Sequence, residues 1–169
     1  MHNRKGIIFF GIIFCTLAGV LLHFAYEWSG SNKIVGYFSA VNESTWEHLK
    51  LLFLPVVVFT VFEWLKVREK YPQFLISRTI ALVLGMVWIV VAFYTISGVI
   101  GKNDISAINI GIFVVGVIIT FLLTEVIMKS IFNTPSRSDL VAFAVILILV
   151  FLFGIWTYNS PKIGLFISP

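Results

Sequence analysis

Charge is scarce in this chain. Only 12% of its 169 residues are Asp, Glu, Lys or Arg, about half the ~25% of soluble domains. Hydrophobic residues make up 59% and the mean hydropathy is +1.02. A soluble domain of this size buries only part of its surface, so it has nowhere to put that much apolar area. A lipid-facing exterior does. Cysteine is nearly absent: Cys15 stands alone inside an apolar run, which excludes an intrachain disulfide framework. Several motifs are missing too. No GxxxxGK[ST] loop, H-E-x-x-H, C-x-x-C or GxSxG occurs. ATP-driven transport, zincin-type proteolysis and nucleophile-elbow hydrolysis are therefore without support. No repeat or low-complexity tail divides the chain, so residues 1–169 read as a single membrane domain.

The chain does contain long apolar runs. A transmembrane helix needs roughly 20 mostly apolar residues, and five stretches qualify: about 6–27, 45–65, 76–99, 106–128 and 139–158. Polar breaks separate them: Ser29 to Lys33, Lys66 to Pro72, Gly101 to Asp104, and Asn133 to Ser136. Strands in isolation cannot satisfy their backbones in lipid, so the spans are helical. The expected fold is an all-α integral membrane bundle of about five transmembrane helices. The first run follows Arg4 and Lys5, as a secretory signal would. It is too long for a signal core and no small-x-small site follows it, so it reads as a retained span.

The net charge of +4 is not that of a nucleic-acid binder, because the basic residues gather at the ends of apolar runs. With five spans, Arg4, Lys5, Lys66, Arg68, Lys70, Arg78, Lys129 and Arg137 share one side. Lys33, Lys50, Lys102 and Lys162 share the other. The excess places the N-terminus in the cytoplasm and the C-terminus outside a cell membrane crossed several times. The long outer connection, 28–44, holds an apolar piece, Ile34 to Val41, too short to span. It is expected to fold over the outer mouth of the bundle as an interfacial or re-entrant segment. The expected partners are membrane lipids, with a homo-oligomeric copy as a candidate, and no nucleic acid.

The chemistry-bearing residues are unevenly distributed. His2 lies in the N-terminal tail, but His23 and His48 fall at the outer ends of the first two spans. Three of the eight acids, Glu27, Glu43 and Glu47, fall there as well. His23 and Glu27 are four apart and share a helix face. That face continues inward through Gly19, Cys15 and Gly11, small residues that let another helix approach. Glu43 and Glu47 are also four apart, while His48 lies about 100° around its helix from Glu47. Two carboxylates and two imidazoles suffice to hold zinc, manganese or iron. The expected ligands are His23, Glu27 and Glu47, with Glu43 or His48 as fourth ligand or general base. The same groups could instead bind a proton, a cation or a polar solute. A structural reading stands beside both. Ser44-x-x-Glu47 matches a capping box, with Asn42 as the alternative cap, and Glu43 and Glu47 suit a helix N-terminus. That reading does not account for His23, a turn deeper than Glu27.

The run HFAYEWSG (23–30), followed by VNESTWEHLKLLFLP (41–55) and the ending PKIGLFISP (161–169), resembles a family of small bacterial multi-pass membrane proteins catalogued as a domain of unknown function. The resemblance implies a bundle of about five helices. It also implies a shared site of His23, Glu27, Asn42, Glu43, Trp46, Glu47 and His48, and no known activity. A looser likeness is to membrane hydrolases of the ceramidase and progestin-receptor type, which hold zinc with histidines near one membrane face. This chain has fewer spans and no H-x-x-x-H pair.

Further into the chain, Pro55 should kink the second span and free a carbonyl one turn earlier. Glu63, Arg78 and Glu125 lie near the inner span ends and should form an ion-pair network; the alternative is the inner gate of a transport path. Asn109, Thr120 and Thr124 are expected to bond between helices. Three functions follow: a metal-binding or metal-dependent protein acting at the outer leaflet, a small proton- or cation-coupled transporter component, or a structural or partner-binding membrane subunit. The residues name no substrate.

Overall fold

Lipid leaves a backbone no partner but itself, and each long apolar run closes into a helix. The computed structural model describes residues 4–103, 105–130 and 137–168, without the side chain of Arg137. It is all-α, with no strand among the described residues. The long helices are α1 (Arg4–Trp28), α3 (Thr45–Val67), α4 (Phe74–Ile100), α5 (Ser106–Ser130) and α6 (Arg137–Tyr158). All five are long and apolar enough to cross a membrane. Their ends lie within about two residues of the expected ones. Asp104, the break at 133–136 and His2 lie outside the described residues.

The arrangement follows from how each helix divides its surface. In α3, 56% of the apolar window is buried, against 17% in α1 and in α6. The centre is therefore α3, and it touches α1, α4, α5 and α6. The α4–α5 pair is the most extensive contact. It is possible because Gly85 and Gly116 face each other: a Cβ on Gly85 would stand 3.1 Å from the Gly116 carbonyl. The two helices are joined by a short turn at Gly101. This residue caps α4 in the left-handed region (φ 71°), where a missing Cβ removes the strain.

Along α1 the buried residues are Gly11, Cys15 and Gly19, the face expected to meet protein. Gly19 has a specific reason to be small. Pro55 in α3 has no N–H, so the Leu51 carbonyl lacks its helical partner. That carbonyl lies against Gly19, and a Cβ there would come within 2.8 Å of it. A local feature of α3 thus sets how closely α1 docks.

The apolar part of the 28–44 connection makes a single turn, α2 (Lys33–Gly36), capped by Asn32. It is held across the bundle end. Tyr158 donates to the Lys33 carbonyl at 2.9 Å, and the Lys50 ammonium donates to the Gly36 carbonyl at 2.9 Å. Ile34, Tyr37 and Phe38 remain exposed. The C-terminal stretch closes the same end. A 3₁₀ turn at Gly164–Phe166 seats Phe166 against Trp46 and Trp156, with ring centroids 4.9 and 5.3 Å away.

At the opposite end lies the charged network. Arg78, buried in α4, donates to Glu63 at 2.7 Å and stacks on Phe121, 4.1 Å from the ring centre. Arg4, counted in the sequence only as a topological charge, joins the cluster. It pairs with Glu125 and reaches Glu63 at 3.5 Å. Two cations and two anions thus balance. The hydroxyls of Thr120 and Thr124 do not bridge helices as expected. They donate to their own helix, at the Gly116 and Thr120 carbonyls, as threonines inside helices commonly do.

Candidate metal centre

Helix α3 begins where Ser44 caps it: the Ser44 hydroxyl accepts from the Glu47 N–H at 3.4 Å. Ahead of the cap, the Asn42 side chain accepts from the Ser44 N–H at 2.9 Å, a local turn typical of Asn. This start lifts Glu43 off the helix and aims it toward α1. One turn into the helix, His48 Nδ1 donates to the Ser44 carbonyl at 2.9 Å. A carbonyl only accepts, so Nδ1 carries the proton and Nε2 points the other way. Across from it, α1 presents His23, whose ring meets that of His48 edge-on at 5.2 Å.

These three side chains converge. His48 Nε2 lies 3.5 Å and His23 Nε2 4.0 Å from the same Glu43 oxygen. One ligand atom from each residue lies within 4.8 Å of the others. Two ligands on a tetrahedral zinc are about 3.3 Å apart, given bonds of ~2.0–2.2 Å. The two spacings to the Glu43 oxygen are within 1 Å of that, and too long for strong direct hydrogen bonds. The imidazoles are about three-tenths exposed and Glu43 about two-thirds, so the group is reachable from the bundle end.

Glu47 and Glu27, expected as ligands, are not in this group. Glu47 is one residue from His48, hence about 100° around the helix, and it faces inward. There it is buried against Lys50, with a carboxylate–ammonium distance of 2.6 Å, and accepts from the Val41 N–H at 3.0 Å. Only half of the expected capping box forms, because the Glu47 carboxylate reaches Val41 rather than Ser44. Lys50 completes its set on the Gly36 carbonyl and the Thr157 hydroxyl, each at 2.9 Å. Nothing short-range signalled this pair beyond its i, i+3 spacing, which surface pairs share. Glu27 is exposed at the end of α1, on the rim of the cavity described next. Trp46 packs in an aromatic cluster with Phe153, Trp156 and Phe166, and Asn42 holds the turn.

Two cavities flank the group. One, of about 540 Å³, lies between α1, α3 and α5 and is lined by His23, Glu27, Glu43 and His48 above Gly19 and Phe113. The other, of about 270 Å³, lies between α3, α4 and α5 and shares Glu43, His48 and Phe113. Its floor is Ile89, Phe93 and Ile112. The walls from α4 and α5 could not be found from sequence, since their residues look like ordinary apolar span positions. Asn109 also faces both cavities, and its amide donates to the Asn103 carbonyl at 3.1 Å.

The chain belongs to a family of unknown function (DUF6512), whose model matches residues 1–168. No curated protein and no solved structure matches it.

Proposed function

We propose that this member of the family is a multi-pass protein of the cell membrane that binds a divalent transition metal at the outer leaflet. His23, Glu43 and His48 would be its ligands. One observation carries the reading. His48 gives its Nδ1 proton to the Ser44 carbonyl and turns Nε2 toward a carboxylate 3.5 Å away, with a second imidazole nitrogen 4.0 Å from the same oxygen. Metal-binding histidines commonly anchor their other ring nitrogen on a carbonyl or carboxylate in this way.

Two imidazoles and one carboxylate are a donor set for open zinc sites and for non-haem iron. Three protein ligands leave a coordination position free, and here both cavities adjoin it. Such an ion acts as a Lewis acid or activates water. The orientation rests on the basic residues, eight of which lie on the side opposite the site. A transport path has less support. Both cavities lie at one end, and the opposite end carries the balanced network of Arg4, Glu63, Arg78 and Glu125.

The test is elemental analysis of protein purified in detergent without added chelator, followed by titration of the apoprotein with zinc, manganese and ferrous ions. Close to one ion per chain is expected for the wild type. His48→Ala and Glu43→Gln should each lose it while keeping the wild-type elution volume. Wild-type protein that binds none of the three ions would overturn the assignment.

A further inference from the structure

The cavities have a layered chemistry. The shared wall nearest the bundle end is polar: Glu43 and His48, with Ser106 and Asn109 from the start of α5. Ile112 comes six residues after Ser106, roughly 9 Å of helix rise deeper. At that level the wall is apolar, with Ile89 and Phe93 from α4 facing Ile112 and Phe113 from α5. At about 540 Å³ the larger space falls in the usual range for small-molecule sites, roughly 300–1,000 Å³, and at about 270 Å³ the smaller lies just below it. A wholly polar solute would leave the lower half unmatched. A plain hydrocarbon would leave the upper half unpaired, which is costly.

The charge of the wall narrows the class further. Its charged residues are Glu27 and Glu43, and no Lys or Arg lines either cavity among the described residues. Two carboxylates balance one divalent ion. Sites built for phosphate heads use Arg or Lys forks, and none is present here. The remaining polar groups, among them Asn42, Asn109, Ser31 and Tyr26, are neutral donors and acceptors.

We infer that the cavities receive an amphiphile with an uncharged, hydrogen-bonding head, such as a hydroxyl, ester or amide. The head would sit beside His23, Glu43 and His48, and the hydrocarbon chain would lie between α4 and α5 over Ile89, Phe93, Ile112 and Phe113. This rests on the metal-site reading for the charge balance, but the apolar floor stands without it. The neighbouring membrane supplies such molecules, and the exposed rim residues Glu43 and Ser106 leave the polar end open to them.

The experiment uses full-length protein in lipid nanodiscs, zinc-loaded or chelator-treated. Two photoactivatable probes share one diazirine-bearing acyl chain: a diacylglycerol and a phosphatidylglycerol. Labelled positions are mapped by mass spectrometry. The diacylglycerol should label Ile89, Phe93, Ile112 or Phe113 about tenfold more than the phosphatidylglycerol, because no Lys or Arg among the described wall residues pairs the phosphate charge. Ile112→Trp, which fills the floor, should abolish that labelling and leave metal content unchanged. The wild-type map keeps the test valid if that variant fails to fold. Labelling confined to lipid-facing positions such as Val91 and Val99, or equal labelling by both probes, overturns the inference. Selective labelling in protein that binds no metal upholds the amphiphile and sinks the metal reading alone.

Discussion

Replacing Lys50 by Met is the sharpest perturbation of the site end. The Lys50 ammonium is fully buried and the Glu47 carboxylate almost so. The ammonium meets Glu47 at 2.6 Å and the Gly36 carbonyl and Thr157 hydroxyl at 2.9 Å. Met preserves the volume of the stem but removes the charge and all three contacts. Glu47 would then keep the Val41 N–H and the Thr157 hydroxyl as partners, neither of them charged. Removing one member of a buried pair costs about 3–5 kcal/mol, because the other charge is left uncompensated. At ~2–4 °C per kcal/mol for a chain of this size, the midpoint should fall by about 6–20 °C. The double change Glu47→Leu with Lys50→Met leaves no orphan charge and should recover most of that loss. Thermal unfolding in detergent, followed by tryptophan fluorescence, measures both, with Trp46 beside the pair in sequence. Metal content supplies the second readout. Glu47 lies outside the three-residue group, so the folded double variant should bind metal like the wild type. A Lys50→Met protein melting within about 2 °C of wild type would refute the energetic argument. A folded double variant without metal would show that Glu47 is a ligand after all.

Arg78→Leu should destabilise by a similar ~3–5 kcal/mol, and Arg78→Leu with Glu63→Leu by clearly less, since the pair is buried; equal melting of both variants would count against the pairing. Arg4→Gln should cost less than Arg78→Leu in the same melt, because Arg4 and Glu125 are each partly exposed. Gly19→Ala places a Cβ 2.8 Å from the Leu51 carbonyl and should lower stability by about 1–3 kcal/mol as α1 is pushed off α3; an unchanged midpoint would mean the helices are free to part. For topology, Cys15 is buried and should stay silent to an impermeant thiol reagent. A cysteine at Lys102 should label from outside intact cells and one at Lys70 should not; the reverse pattern would turn the site toward the cytoplasm.

Some of this protein is written in local order. Five apolar runs of spanning length become five helices because lipid gives their backbones no other partner. Within one helix, angular relations follow from 3.6 residues per turn. Hence the face of Gly11, Cys15 and Gly19 beneath His23 could be read directly, while the cap could be narrowed only to Ser44 or Asn42. Relations between helices are a different matter. Glu43 and Glu47 look interchangeable in sequence. The rotation of α3 decides that Glu47 turns inward to Lys50, while the turn at Asn42 sends Glu43 out to His23. Arg4 meets Glu125 across 121 positions, a distance no periodicity spans. The floor at Ile89 and Ile112 exists because Gly85 and Gly116 let α4 and α5 close on each other. Periodicity sets which residues share a face. Which faces meet depends on the placement of whole helices, and that is decided only when small residues, a freed carbonyl and buried charges are satisfied together.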